Sequence, residues 1–489
     1  MDYTELNRGL SAILPEILML LLGFVLISGE LIARDTRKRA LGFLATIGMI
    51  GVLVVVVLQS VPLFAENPDL RPALGNMVRV DLVAQLFRMM FVTAAALTCL
   101  ITIDFKPLQQ GGEFYGLIVF ATLGMSLMAT ANDIIMLYVA LETTSISLYL
   151  LAGYMRHEPR SSEAGMKYFL FGAFTSTVLL YGLSLLYGFT GQTEFGAIVK
   201  ALNGLGAEGT LPVVTALILV MVGFGFKVAA VPFHMWTPDV YEGGPTPFTA
   251  FVSVASKAAG FVVLIRVATT VFVPVHEQWV GIVAGLSVLT MTLGNLLAIP
   301  QRNIKRLLAY SSIAQAGYVL IGVASASRLG VSAALFYLAA YVLTNLAAFI
   351  VIEAVTNRLG TEDLYKMAGL ARRSFWLSMG MLLAMLSLAG VPPLAGFFAK
   401  FYIFQAAVDA GLIWLAVIGV LNAILGLYYY LIVIRVLFVD RGEEEISAGP
   451  IAGTLRLGLL LSSFGILFLG VFATPWYTLA EQAAQTFLK

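Results

Sequence analysis

Charge and cysteine are both scarce in this 489-residue sequence, and each shortage excludes a class of protein. Charged residues make up 12% of the chain, against about 25% in a typical soluble protein, while 60% are hydrophobic. The single cysteine, Cys99, excludes an intrachain disulfide. The net charge of +1 gives no indication of a polyanionic partner such as nucleic acid. The composition is typical of a polytopic membrane protein.

Sequence motifs for cofactor binding are absent as well. The chain has no Walker loop, no GxGxxG in a strand–helix context, no paired CxxC and no HExxH. We therefore expect the chain itself to bind no nucleotide, iron–sulfur cluster or catalytic metal. Any redox chemistry linked to it would take place in other subunits.

Long apolar runs fill most of the chain, and a bilayer-spanning helix needs about 20 such residues. The runs predict an all-α membrane protein with about fourteen helices, which we number 1 to 14. Their expected bounds are 11–32, 40–63, 80–104, 113–131, 133–155, 163–189, 210–229, 246–272, 278–299, 304–325, 330–356, 374–409, 411–438 and 454–474.

Lysine and arginine are concentrated in the loops that follow odd-numbered helices. Cytoplasmic loops of membrane proteins carry an excess of these residues. We therefore expect both chain ends on the outer side and the basic loops in the cytoplasm or its organellar equivalent. The basic loops are RDTRKR (34–39), RHEPR (156–160), QRNIKR (301–306) and the segment 357–373.

A weak internal repeat is visible in the second and third quarters of the chain. Tyr168 and Thr175 of helix 6 resemble Tyr337 and Thr344 of helix 11 in their spacing. The similarity predicts two five-helix units, helices 4–8 and 9–13. Because five is an odd number, the second unit would be inverted in the membrane relative to the first. The alternative is chance similarity between apolar helices. The predicted units are 1–112 (helices 1–3), 113–272 (first repeat), 273–440 (second repeat) and 441–489 (last helix and tail).

Proline interrupts one helix in each predicted repeat. Helix 7 is interrupted at Pro232, and helix 12 is interrupted at Pro392 and Pro393. Proline removes a backbone donor and clashes with the preceding turn, so each helix should be discontinuous. In transporters with inverted repeats, such broken helices indicate the ion path.

Four ionisable residues fall inside apolar helices: Glu142 in helix 5, Lys227 in helix 7, Lys257 in helix 8 and Lys400 in helix 12. A charge in the bilayer costs several kcal/mol unless it is paired or hydrated, so it indicates function by default. We expect Lys257 to extend a polar stripe at a spacing of four residues.

The pairing of these charges suggests proton handling. A lysine in a dry site loses stability as a cation, and a carboxylate within roughly 4–6 Å restores it. A Glu142–Lys227 pair that opens and closes would thus load and unload a proton. The alternative is a static ion pair, or lysines that snorkel to the interface. His234 lies in the helix 7–8 break and is a possible relay, because the ordinary histidine pKa is about 6.5; a packed loop histidine is the alternative.

Four stretches carry a resemblance to a known family. They are FHMWTPDVYEGGPTPFTAFVSVASKAAGF (233–261), NDIIMLYVALE (132–142), RNIKRLLAYSSIAQAGY (302–318) and LSLAGVPPLAGFFAKFYIF (386–404). The sequence resembles the antiporter-like membrane subunits of proton-pumping NADH:quinone oxidoreductase, respiratory complex I. Among the N, M and L types it is most similar to N. A lysine at the position of Lys400 is typical of the N and L types, whereas the M type has glutamate there. We expect no long lateral helix of the L type after the last span.

The resemblance implies a role for each of the four charges. Glu142 would pair with Lys227, Lys257 would be the central relay, and Lys400 would lead toward the exit side. It also implies neighbours of the M type and the small K type in the bilayer of a bacterial inner membrane, or of an organelle. FMN, iron–sulfur clusters, quinone and the electron donor, NADH or ferredoxin, would bind to partner subunits.

Two other functions stay open at this stage. Multisubunit sodium/proton antiporters share the expected fold and lack redox coupling. Lysines at the key positions favour protons over sodium, because hard cations prefer oxygen ligands. The remaining alternative is a purely structural membrane subunit. The roles of Arg266 and Glu353 are left undecided.

Overall fold

The structure is a computed structural model, and it describes residues 9–32, 38–65, 71–105, 111–204, 210–442 and 451–487. Within these ranges, thirteen helices are long and apolar enough to cross a membrane. Two shorter helices supply the fourteenth crossing, so the predicted all-α membrane fold is confirmed. Residues 34–37 of the first basic loop lie outside the described ranges. The protein is an integral, multi-pass membrane protein.

The membrane helices begin and end within a few residues of the predicted positions. Helices 1 to 6 are Leu14–Ile32, Lys38–Ala65, Leu82–Thr102, Gly112–Thr130, Ile134–Ala152 and Pro159–Thr190. Helices 7 and 12 each have two halves, Thr210–Val228 with Trp236–Gly243 and Phe375–Ala389 with Ala395–Asp409. Helices 8 to 11, 13 and 14 are Thr246–Thr270, His276–Ala298, Ile304–Ala324, Arg328–Leu359, Ile413–Phe438 and Gly453–Val471.

Helix 8 is the most deeply buried membrane helix in the described ranges, and only Thr269 and Thr270 at its end are partly exposed. Helices 10 and 11 are almost as deeply buried, whereas helices 1, 6 and 13 expose large apolar side chains. Lipid tails are as apolar as these side chains, so such exposure is the expected state in a bilayer. The outward-facing residues include Phe24, Phe174, Leu421 and Ile424.

Helix 7 is discontinuous at Pro232, as predicted. The first half ends at Val228, and a non-helical segment leads to Trp236. The freed backbone groups find new partners: Val231 N donates to Thr290 Oγ1 at 3.0 Å, and Trp236 Nε1 donates to Phe226 O at 3.1 Å. Buried polar backbone groups need such partners, so the break is stabilised locally.

Helix 12 is discontinuous at Pro392 and Pro393, which confirms the second predicted break. Gly390 follows the first half with φ +88°, a left-handed conformation that glycine adopts without a side-chain clash. The carbonyl groups of Leu388 and Ala389 are left facing the second half of the helix, where Lys400 lies. The break thus creates a site for a cation.

The structure contains elements that the sequence did not predict. Strands β1 (Arg71–Ala73) and β2 (Val78–Val80) form an antiparallel hairpin between helices 2 and 3. Short helices at Phe195–Asn203 and Ala473–Phe487 follow helices 6 and 14. A π-helical turn, Val252–Ser256, interrupts helix 8 immediately before Lys257. These elements are too short, or too irregular in periodicity, to stand out beside long apolar runs.

Candidate functional site

Lys227 lies at the end of the first half of helix 7, and its side chain is buried. Its Nζ donates a hydrogen bond to Ser145 Oγ of helix 5 at 2.7 Å. Glu142 lies one turn earlier on helix 5 and accepts a hydrogen bond from Ser176 of helix 6. Within the described residues the two charges therefore form no direct ion pair. Each charge is bonded to a serine hydroxyl, and a pair between them that opens and closes, directly or through one water, stays a prediction.

Lys257 follows the π-helical turn of helix 8 and is also buried. Its Nζ donates to the carbonyl and the hydroxyl of Ser312 on helix 10, at 2.6 and 2.7 Å. Ser253 instead accepts from Asn345 of helix 11 at 2.6 Å. The π-helical turn lies between Ser253 and Lys257, and the two side chains bind different helices.

The backbones of helices 7 and 8 approach closely beside these lysines. Gly260 lies one turn beyond Lys257, and a Cβ atom at Gly260 would lie 3.0 Å from Lys227 Cβ. Such close approach is possible because glycine has no side chain. The structure thus places the helix segments that carry Lys227 and Lys257 in direct contact.

Lys400 lies in the second half of helix 12 and is buried. Its Nζ donates to the carbonyl oxygens of Leu388 and Ala389 at 2.9 and 3.0 Å. The same ammonium lies 5.0 Å from the centre of the Tyr318 ring. Carbonyl groups at a helix end and an aromatic face both favour a cation. The broken helix therefore supplies this lysine with partners that carry no formal charge.

His234 lies in the break of helix 7 and is half-buried. Its Nδ1 atom is buried and has no hydrogen-bond partner among the residues that the structure describes. The relay assigned to this histidine stays a prediction.

Three further buried polar residues on helix 10 were missed from the sequence: Ser311, Ser312 and Gln315. Ser312 binds Lys257, and Gln315 donates to Tyr430 Oη of helix 13 at 2.9 Å. A signal was present, because AYSSIAQAGY places polar residues at a spacing of four inside an apolar helix. Formal charges are the more conspicuous signal in an apolar helix, because each one is costly in the bilayer.

Two buried ion pairs tie helices together away from this site. Arg266, left undecided by the sequence, donates to both carboxylate oxygens of Asp81 at 2.9 and 3.1 Å. Arg88 and Glu16 form a second pair at 2.7 Å, which the sequence did not reveal. Both pairs link positions far apart in the chain, so no local pattern could indicate them.

Glu353 of helix 11 is fully buried, and neither carboxyl oxygen has a hydrogen-bond partner in the described part of the chain. Its side chain therefore does not hold the bundle together through an ion pair there.

A partly exposed charge cluster joins the second half of helix 7 to helices 6 and 10. Asp239 accepts from Lys167 at 2.7 Å and from Arg306 at 2.8 Å. Arg306 also contacts Glu242 at 2.9 Å. Lys305 binds Glu362 at 2.9 Å. The cluster fixes the short half-helix beside the predicted cytoplasmic loops.

The described residues form a membrane bundle with two discontinuous helices, and Lys227, Lys257 and Lys400 are buried inside it. The family described as NADH:quinone oxidoreductase/Mrp antiporter, TM, matches residues 131–426. The NADH-quinone oxidoreductase subunit N of Moorella thermoacetica is 42% identical over 474 residues, covering 96% of this chain and 98% of the relative.

Solved structures agree with this relationship. A chain in respiratory complex I from Thermus thermophilus with bound aureothin is 32% identical, with TM-score 0.79 and coverage of 95% of this chain and 98% of that one. A chain in the Mrp complex from a Dietzia species is 21% identical, with TM-score 0.85 and coverage of 99% and 98%, and it shares the fold. This chain belongs to the NADH:quinone oxidoreductase/Mrp antiporter transmembrane family, so the resemblance found in the sequence is confirmed.

Proposed function

We propose that this chain is the N-type, proton-translocating membrane subunit of an NADH:quinone oxidoreductase in a bacterial inner membrane. One observation carries the proposal. Lys227, Lys257 and Lys400 are buried, and within the described residues each binds hydroxyl or carbonyl oxygens rather than a carboxylate. A lysine without a fixed counter-charge can exist with or without its proton, as a proton carrier must.

The order of the groups suggests a route. Glu142 and Lys227 would load a proton in the first half of the bundle. Lys257, on the helix in contact with that of Lys227, would receive it at the centre. Lys400 would take it at the second helix break. A row of such groups, spaced by hydroxyls and water, moves charge without any side chain crossing the membrane.

The redox chemistry belongs to partner subunits in this proposal. FMN, iron–sulfur clusters and quinone would bind there, with NADH or ferredoxin as electron donor. The neighbouring membrane subunits would be the M type and the small K type. This chain would contribute to the translocase without a redox site of its own.

The sodium/proton antiporter without redox coupling is the competing function. The Mrp relationship supports the fold alone, whereas relatives about 40% identical over nearly the full length carry the oxidoreductase name. Lysines in place of carboxylates at the buried positions also favour protons over a hard cation.

Purification of the intact assembly tests the proposal. The chain is tagged in its host and extracted in mild detergent, and its partners are identified together with flavin and iron–sulfur absorbance. We expect copurification with subunits that carry these groups, and quinone reduction by the preparation. An assembly that contains only antiporter subunits, without flavin or iron–sulfur clusters, would contradict the proposal.

A further inference from the structure

Helix 10 connects the sites of Lys257 and Lys400 within one turn. Ser312 accepts from Lys257, and Gln315 lies three residues later on the same helix. Gln315 Nε2 donates to Leu388 O at 3.2 Å, and the same carbonyl accepts from Lys400 at 2.9 Å. Gln315 therefore binds the same carbonyl as Lys400 and lies on the same helix turn as the serine that binds Lys257.

Gln315 is held by two buried tyrosines. The Tyr337 hydroxyl donates to Gln315 Oε1, while Gln315 Nε2 donates to Tyr430 Oη at 2.9 Å. Tyr430 is also hydrogen-bonded to Ser311. Both ends of the Gln315 amide are thus occupied, which fixes its orientation.

Tyr341 differs from these tyrosines. It lies one turn beyond Tyr337 on helix 11, and its buried hydroxyl has no hydrogen-bond partner within the described residues. Asn345, one turn further along helix 11, donates to Ser253, which lies one turn before Lys257 on helix 8. An unsatisfied buried hydroxyl costs about 1–3 kcal/mol, so its position calls for an explanation.

A small cavity extends from Tyr341 to Lys400. Its lining includes both of these residues, together with Gln315, Thr344 and Ser387. The space is large enough for about one water molecule, and the polar side chains in its lining offer hydrogen-bond partners. Helix 11 therefore carries Tyr341 at the cavity that Lys400 lines, one turn from Asn345, which binds Ser253 beside Lys257.

We propose that the Tyr341 hydroxyl relays protons between Lys257 and Lys400, with Gln315 as a positioning residue that holds the surrounding hydroxyls. This rests on the proposed function. The Lys257 ammonium gives a proton to Ser312 Oγ, whose own proton passes to Tyr341 Oη. The Tyr341 proton passes, directly or through a water in the cavity, to the neutral amine of Lys400. Each hydroxyl ends with one hydrogen, and the positive charge has moved from Lys257 to Lys400.

The variant Tyr341→Phe tests the relay, because it removes only the hydroxyl. The assembled complex is reconstituted in vesicles, and redox-linked proton translocation is measured in H2O and D2O. A positioned proton-transfer group typically contributes a factor of about 10²–10⁴, and we expect proton translocation to fall by roughly tenfold or more, with a larger solvent isotope effect. Ser462→Ala is the matched control, because it removes a buried, unpartnered hydroxyl on helix 14; its isotope effect should not change.

A second variant keeps the test decisive if Tyr341→Phe fails to assemble. Ser312→Ala removes the hydroxyl between Lys257 and Tyr341 and leaves the backbone carbonyl that also binds Lys257. Normal translocation with a normal isotope effect in either assembled variant would overturn the relay. Gln315→Leu should also slow translocation; an unchanged rate would remove its positioning role.

The same preparations separate this inference from the proposed function. Lys257→Met and Lys400→Met are measured in parallel. If they lose translocation while Tyr341→Phe and Ser312→Ala retain it, the hydroxyl route is wrong and the lysine chain stands. If the lysine variants translocate normally, the proposed function itself fails.

Discussion

The Lys227 ammonium donates a hydrogen bond to Ser145 at 2.7 Å, one turn beyond Glu142 on helix 5. The lysine is thus held by a neutral hydroxyl, and the carboxylate is held by Ser176 of another helix. This arrangement differs from a static ion pair, which would fix both charges against each other. The negative charge of Glu142 can therefore stabilise the Lys227 ammonium electrostatically, while each residue keeps a separate hydrogen-bond partner.

The first prediction concerns the charge of Glu142. Glu142→Gln retains an oxygen that can accept from Ser176 and removes the negative charge. We expect the complex to assemble and proton translocation to fall by roughly tenfold, because the nearby opposite charge no longer stabilises the Lys227 ammonium. Translocation is measured in vesicles relative to electron transfer. Ser176→Ala is the control, since it removes the hydrogen bond and keeps the charge; equal effects of the two variants would contradict an electrostatic role.

The second prediction concerns the Arg266–Asp81 pair. Among the residues that the structure describes, Arg266→Met leaves the buried Asp81 with Arg79, 3.6 Å away, as its one charged partner. Loss of one partner of a buried pair typically costs about 3–5 kcal/mol, so we expect a clear fall in thermal stability of the detergent-extracted protein. The double variant Arg266→Met, Asp81→Leu should be more stable than Arg266→Met alone. A single variant as stable as the unmodified protein would show that the pair does not hold helix 8 to helix 3.

The third prediction concerns Glu353. Its carboxyl group is fully buried without a hydrogen-bond partner in the described part of the chain. Burial of an unpartnered polar group costs free energy, so Glu353→Met should leave the Tm unchanged or raise it. Thermal unfolding of the extracted protein provides the measurement. A large loss of stability would show that the carboxyl group makes a structural contact that the static structure lacks.

The fold follows from the sequence to a large extent, because bilayer thickness sets helix length and proline sets the two breaks. Lys227, Lys257 and Lys400 could be located for the same reason, since charge in an apolar helix is conspicuous. The hydrogen-bond partners of these lysines could not be located in this way. Ser312 and Gln315 look like ordinary polar residues until the fold places them beside Lys257 and the Leu388 carbonyl. The π turn immediately before Lys257 was likewise indicated by no residue pattern.

The proposed repeat units and the roles of the four charged residues remain predictions. The two helix breaks fall at the predicted prolines, and each lies close to a buried lysine. At the first break the lysine precedes the proline, whereas at the second it follows the prolines. The two halves of the bundle therefore use broken helices in different ways.

Substitution of Lys257 tests the central claim most directly. Lys257→Arg keeps a positive charge that does not dissociate, because the guanidinium group effectively never loses its proton in a protein. Lys257→Met removes the charge. Redox-linked proton translocation is measured for both variants in reconstituted vesicles, after assembly of the complex has been confirmed. A relay predicts that arginine blocks translocation nearly as completely as methionine does. Near-normal translocation with arginine, together with loss with methionine, would make Lys257 a structural charge and contradict the account.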